Sequence, residues 1–243
     1  MQAAIGQELL TIIVPVYNEA RTVRAVLDRL VAIEFSIPRE IIVVDDGSSD
    51  GTAAILAEAE QAGLPITVLR APVNRGKGHA IRMGIGHARG SIVAIQDADL
   101  ELDPHQLVDL VRPIVARDTD VVYGSRFLEG RPAAPLASIA ANRFLTGATN
   151  VLFGAAITDM ETCYKLMRVE VARSLGLQAN RFDIEPEITA KILRAGHSIL
   201  ELPVRYEARG RSAGKKIGWR DGWRAMQVLI ERRVRRRSPN RSR

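Results

Sequence analysis

Cysteine is nearly absent from this 243-residue chain; Cys163 is the only one. That excludes an intramolecular disulfide framework and a cysteine-rich zinc site, and it fits a reducing compartment. The four histidines, His79, His87, His105 and His197, are scattered without metal-ligand spacing. No apolar run reaches the roughly 18 residues that a membrane span needs, and no basic-then-apolar leader opens the sequence. The expectation is a cytoplasmic protein, soluble or peripheral at the cytoplasmic face of a membrane. Hydrophobic residues make up 47% and charged residues 26%, an ordinary globular balance that excludes disorder over most of the chain. The length suits one large domain or two small ones.

Charge is unevenly spread. Residues 209–243 hold thirteen Lys or Arg against two acids, a net of +11, so the +6 chain carries −5 elsewhere. A basic tail of this kind attracts polyanions, either nucleic acid or an anionic membrane surface. The tail contains Trp219 and Trp223 but lacks an aromatic platform or a recognised nucleic-acid fold motif, so nucleic acid is not the expected partner. Trp219, Trp223, Met226 and Ile230 recur three or four apart within a basic stretch, 218–237. Such a helix either lies in a membrane interface or packs its apolar side on the domain. The division expected is one domain over 1–218 and a basic amphipathic helix and tail over 219–243.

The first half alternates strand and helix signals. Apolar β-branched runs at 9–16, 41–44, 66–69, 91–95 and 121–123 are separated by helical periodicity at 22–33, 52–61, 78–88 and 104–115. This spacing predicts βαβ units and a mostly parallel sheet with helices on both faces. Ligands of such sheets bind beyond the carboxyl ends of the strands. Three polar loops gather there: Tyr17 to Glu19, Asp45 to Ser48, and Gln96 to Glu101. In the second half, 139–153 and 183–195 read as helices, 199–206 as a strand, and 127–135 as a loop.

Asp97-Ala98-Asp99-Leu100-Glu101 follows a buried strand directly. In an extended segment alternate side chains point the same way, so three carboxylates would converge. They would repel one another without a cation between them, and hard oxygen ligands suit Mg²⁺ or Mn²⁺. The other reading is a solvated turn that caps the next helix. Asp45 and Asp46 fit either a capping turn or nucleoside recognition. Asn74-Arg75-Gly76-Lys77-Gly78 is a basic glycine-rich loop that opens a helix and is able to approach a phosphate, although its spacing is not that of a P-loop.

Taken together, the residues 12–19 (IIVPVYNE), 42–52 (IVVDDGSSDGT) and 97–99 (DAD) resemble the family-2 inverting glycosyltransferases of the GT-A fold. The features 123–127 (YGSRF), 159–165 (DMETCYK) and 185–187 (EPE), with the basic 209–216 loop, resemble the dolichol-phosphate mannose synthase and polyprenyl-phosphate glucosyltransferase group. The resemblance implies an α/β fold with a Rossmann-like nucleotide-binding half and an acceptor half. It implies a hexose moved from a nucleotide-sugar donor to a polyprenyl phosphate, with Mg²⁺ or Mn²⁺ as cofactor. Pro15, Tyr17, Glu19, Val44 and Asp46 would hold the nucleoside, with Arg75 near a phosphate. Asp97 would open the acidic motif, and Asp99 and Glu101 would be the metal ligands. Arg126 and Arg143 would meet the acceptor phosphate. Arg209 or Arg211, with Lys215 or Lys216, would close over the phosphates. An apolar exit for the lipid would come from Ile139, Leu145, Val151, Leu152 and Phe153. A lipid phosphate needs no general base; for a sugar hydroxyl acceptor, Asp97 or Glu185 would be the candidate. A family-2 enzyme with a soluble or saccharide hydroxyl acceptor is the alternative.

Overall fold

The computed structural model describes residues 8–207 and 219–234. Seven strands form one sheet in the order β3-β2-β1-β4-β6-β5-β7. They are β1 Leu10–Val16, β2 Arg39–Asp45, β3 Thr67–Arg70, β4 Ile92–Ile95, β5 Val121–Ser125, β6 Lys165–Arg168 and β7 Leu200–Pro203. Only β6 runs antiparallel to its neighbours β4 and β5. Strands β1, β2 and β4 are apolar on both faces and buried throughout most of their length, because helices cover both sides.

Helices α1 Val23–Ala32, α2 Thr52–Gln61 and α4 Leu107–Val115 lie over one face, where Leu10, Ile12, Val26, Leu27, Leu30, Leu56 and Leu110 close the larger core. On the other face α3 Lys77–His87, α6 Val169–Ser174 and α7 Ile184–Ala195 bury Ile81, Val171, Ile184 and Ile188 against Ile13, Ile42, Val93 and Tyr123. Each large aliphatic side chain removed from water in this way contributes about 1.5–3 kcal/mol. A third, smaller core joins α5 Leu136–Phe153 to α8 Trp219–Val234 through Leu145, Ile157, Met160, Ala190, Ala225 and Leu229.

The mostly parallel sheet is the one the alternation predicts. Two short elements escaped that reading, β6 and α6. The predicted helix at 104–115 begins as a 3₁₀ turn, Pro104–Gln106, before α4. Helix α8 is held to the domain on one side and open on the other. Ala225 and Leu229 are buried, Arg224 Nε meets Asp183 Oδ2 at 2.9 Å, and Arg232 Nη2 meets Glu187 Oε1 at 2.6 Å. Trp223, Ile230 and Val234 remain exposed. Among the described residues, no helix is long and apolar enough to cross a membrane.

Candidate active site

The carboxyl ends of β1, β2 and β4 open into a cleft of about 500 Å³, lined by Pro15, Tyr17, Glu19, Asp46, Lys77, Asp97 and Asp99 and walled by Arg181 and Phe182. Its first wall is built by one loop reaching into the next. Asn18, at φ 54°, donates from its backbone N to Ser48 Oγ at 3.0 Å and accepts from Ser49 N at 2.8 Å. Glu19 N donates to Thr52 Oγ1 at 2.9 Å. Asp45 accepts from Ser48 N at 2.9 Å. These side-chain acceptors satisfy loop amides that have no strand partner.

Asp46 anchors the second wall. Its Oδ2 accepts from Arg75 N at 2.9 Å and Gly76 N at 2.5 Å, while Oδ1 meets His79 Nδ1 at 3.1 Å. The glycine-rich loop is thereby tied to β2. Gly76 and Gly78 press it onto the chain before α7: a Cβ on either would come within 2.5 Å of the Asn180 or Ala179 carbonyl. His79 N donates to that same Asn180 carbonyl at 3.0 Å.

The acids after β4 do not converge as alternation would have them. The segment turns at 98–100, with Leu100 at φ 59°, so the extended-strand rule does not apply there. Asp97 instead pairs with Lys77, at 2.8 Å from Nζ. Glu101 Oε2 accepts from Tyr206 OH at 2.7 Å. Asp99 Oδ1 accepts from Glu101 N at 3.2 Å. Among the described residues no three His, Cys, Asp or Glu groups are drawn together as a ready metal cage. Mg²⁺ and Mn²⁺ do not require one, since such ions use one or two carboxylates and fill the shell with water and substrate phosphate oxygens. Asp99, in the cleft lining, and Glu101, two residues on and outside that lining, supply carboxylate oxygens of the kind such ions take.

Beside the cleft lies a buried ionic chain. Lys77 Nζ also meets Glu185 Oε1 at 2.9 Å, and Glu185 Oε2 meets Lys165 Nζ at 2.6 Å. Lys165 is fully buried and donates further to the carbonyls of Met160, at 3.0 Å, and Thr162. Burial opposes charge on both Lys77 and Glu185, but their mutual attraction prevails. Asp97 and Glu185 hold the Lys77 ammonium well above the lysine range, and Lys165 and Lys77 hold the Glu185 carboxyl below the usual carboxylate value. Glu185 is therefore not disposed to take a proton.

Next along, Arg126 forks onto buried Asp159. Nε lies 2.7 Å from Oδ2 and Nη2 lies 2.8 Å from Oδ1. Asn142 adds a donor to Asp159 Oδ1 at 2.6 Å. The Arg126 guanidinium also lies 5.3 Å from the Tyr206 ring, which links it to Glu101. Between these pairs sits Glu161. Its Oε1 is shut off from solvent and has no hydrogen-bond partner, and burial, with Glu185 nearby, pushes its carboxyl up to about 7.

The predicted site residues therefore divide. Pro15, Tyr17, Glu19, Asp46, Asp97 and Asp99 line one cleft. Val44 does not: its side chain is buried in the core with Ile13 and Ile42, because it points away from the loop that follows it. Arg75 is exposed and contributes its backbone N; the cations that line the cleft are Lys77 and Arg181. Arg126 lies in the neighbouring ionic cluster. Arg143 is exposed on α5, 5.8 Å from the Phe127 ring. Of the proposed apolar exit, Val151 is exposed, Leu152 and Phe153 are half-buried against the third core, and Ile139 and Leu145 are buried; Leu136 and Phe144 are the other large exposed apolar residues of α5. Arg209, Arg211, Lys215 and Lys216 lie outside the described residues. Sequence reading missed Lys77, Lys165, Asp159, Asn142, Arg181 and Phe182 as site elements. For Lys77 the glycine-rich loop was the signal, and Asp159 and Lys165 are the two ends of the 159–165 feature; for the others the pairing is between distant segments and leaves no local pattern.

Known proteins resemble this chain throughout the region just described. The glycosyl transferase family 2 profile matches residues 11–176. A dolichyl-phosphate beta-glucosyltransferase from Trichomonas vaginalis is 32% identical over 222 residues, covering 83% of this chain and 65% of that protein. A dodecaprenyl-phosphate galacturonate synthase from Rhizobium johnstonii is 28% identical over 205 residues, covering 82% of this chain and 59% of that protein. The chain thus spans about three fifths of the length of these relatives. Among solved structures, glucosyl-3-phosphoglycerate synthase from Mycobacterium tuberculosis with uridine-diphosphate superposes with a TM-score of 0.70 at 21% identity, over 96% of this chain and 82% of that one. At that identity the likeness is one of fold, and it is the GT-A fold expected.

Proposed function

Because the chain belongs to glycosyl transferase family 2, we propose that it transfers a hexose from a nucleotide-sugar donor to a polyprenyl phosphate at the cytoplasmic face of a membrane. The observation that carries the acceptor is the outer face of α5. Leu136, Ala140, Arg143, Phe144, Gly147 and Val151 share one side of the helix by its 3.6-residue period, and all are exposed. A stripe of this kind exceeds what a soluble acceptor uses, whereas an isoprenyl chain covers it while Arg143 meets the phosphate. The relatives named for dolichyl and dodecaprenyl phosphate support the same class of acceptor. The exposed Trp223, Ile230 and Val234 of neighbouring α8, with exposed Arg233, suit a lipid surface.

The cleft would take the nucleotide. Tyr17, Glu19 and Asp46 stand on the nucleoside side, and Lys77 and Arg181 supply positive charge for the diphosphate. Asp99 and Glu101 would hold Mg²⁺ or Mn²⁺, which when bound offsets charge on the diphosphate leaving group. The solved neighbours carrying Mn²⁺ or Mg²⁺ with uridine-diphosphate are consistent with this. An ionised phosphate oxygen attacks the anomeric carbon in line as the bond to the diphosphate breaks, with inversion. Such a nucleophile needs no general base, which accords with Asp97 and Glu185 both being tied to lysines.

The test is a donor screen against a polyprenyl phosphate in mixed micelles, comparing GDP-mannose, UDP-glucose and UDP-N-acetylglucosamine with phosphoglycerate and free sugars as competing acceptors. Chelator-sensitive formation of a lipid-linked sugar from one donor is expected. Preferential transfer to a soluble hydroxyl would replace this reading with the alternative.

A further inference from the structure

Glu161 has no place in the reaction as drawn, yet it sits among the charges of the acceptor side. The groups facing it are Glu185 from α7, Lys165 from β6, Asp159 two residues before it, and Arg126 after β5. Both cations are already matched: Lys165 by Glu185 at 2.6 Å, Arg126 by Asp159 in a two-point fork. Lys77 is matched in turn by Asp97. Three cations and three carboxylates balance without Glu161. Its Oε1 is sealed in protein with no donor, a poor setting for an ionised carboxylate, which seeks donors at both oxygens. The residue as a whole is only partly buried, so Oε2 is the oxygen left to meet a bound group.

We propose that Glu161 binds the phosphate of the acceptor in its neutral form, donating a hydrogen bond from Oε2, and that its ionisation weakens acceptor binding. This rests on the phosphate-acceptor reading above. An arriving phosphate dianion, carrying charge of the same sign as the carboxylate, favours the proton on Glu161 still further, so the acceptor and the proton bind together. Arg126 Nη1 takes no part in the fork to Asp159. The carboxyl titrates at about 7, so acceptor affinity is full below that pH and falls as pH rises through it.

The experiment measures the KM of a short-chain isoprenyl monophosphate against pH from 6.5 to 9, at saturating donor, for wild type and Glu161→Gln. An alkyl phosphate completes its second ionisation near pH 6 to 7, so change above pH 7.5 reports the protein. Wild-type acceptor KM is expected to rise about tenfold per pH unit above roughly 7.5. Glu161→Gln, a neutral donor of the same size, is expected to keep the low-pH KM within about threefold and to be flat to pH 9. Donor KM stays level in both. Parallel profiles for the two proteins overturn the proposal, as does a flat wild-type profile, which needs no variant to read. Loss of transfer by Glu161→Gln at every pH, with donor hydrolysis intact, also overturns it, since the carboxylate itself would then be required. If neither protein transfers to the isoprenyl phosphate while both hydrolyse the donor, the acceptor reading falls first and this inference falls with it.

Discussion

The two halves of the sheet hold their functional side chains by different means. In the half built from β1, β2, β3 and β4, polar side chains fasten the amides of neighbouring loops: Asp45 to Ser48, Asp46 to Arg75 and Gly76, Asn18 to Ser49. In the half built from β5, β6 and β7, charge is set against charge in the interior, in Lys165–Glu185 and Arg126–Asp159. Backbone fastening leaves the side chains at the rim available to a ligand. Buried pairing makes stability depend on each partner, because removing one leaves the other charged and dry. Mutations in the first half should therefore separate activity from stability, and mutations in the second should confound them.

The largest effect expected is on the first side. Asp99→Ala should lower transfer by about 10³-fold, on the order of 4 kcal/mol in the barrier, with an unchanged unfolding midpoint. Activity that survives both this change and excess chelator would break the metal assignment. On the second side, Lys165→Ala should cost about 3–5 kcal/mol of stability, read by urea unfolding, because Glu185 keeps only Lys77 as its partner cation. Loss of activity at wild-type stability would blur the contrast between the halves.

A finer cut lies within the acceptor side. Arg126→Ala strands the buried Asp159 carboxylate and should destabilise by about 3 kcal/mol as well as impair transfer. Arg143→Ala, on an exposed helix face, should raise acceptor KM about tenfold without moving the unfolding midpoint. The smallest effect is in acid. Glu185 titrates below its unfolded value, so its contribution is present above about pH 4.5 and is lost as pH falls through the folded value. Acid unfolding followed by circular dichroism should shift to higher pH in Lys77→Ala, which removes one of the two cations depressing Glu185.

The same contrast explains what the sequence made legible. Strands β1, β2 and β4 are unbroken apolar runs, and each is found within about two residues of where periodicity puts it. The loops after them had to be polar and near one another, and six of the expected residues share the cleft. Strand β6 was invisible because its four residues, Lys165–Arg168, begin and end in charge; a lysine reads as surface until its distant partner Glu185 is known. Asp97, Asp99 and Glu101 were read as one extended row, and the left-handed Leu100 breaks the row. Val44 belongs to a motif whose neighbours do line the cleft, but the strand pleat turns its own side chain inward. Local pattern carries the half built from β1 to β4; the half built from β5 to β7 is specified by pairings 17 to 33 residues apart or more, such as Asn142 with Asp159 and Arg126 with Asp159.

The close seating of Gly76 and Gly78 on Asn180 and Ala179 also bears on how the protein is made. A chain leaving the ribosome has β1 through β4 in hand well before residues 179–182 emerge. At usual elongation rates of about 5–20 residues per second, that interval is roughly 5–20 s. During it the glycine-rich loop lacks the backbone it rests on, and the cleft lacks Arg181 and Phe182. The cleft is thus finished late, by a segment just past residue 176, where the family match ends. A fragment stopping there would own the acidic residues 97–101 and still be missing a wall, so the cleft of the nascent chain stays open on that side until its second half has been synthesised.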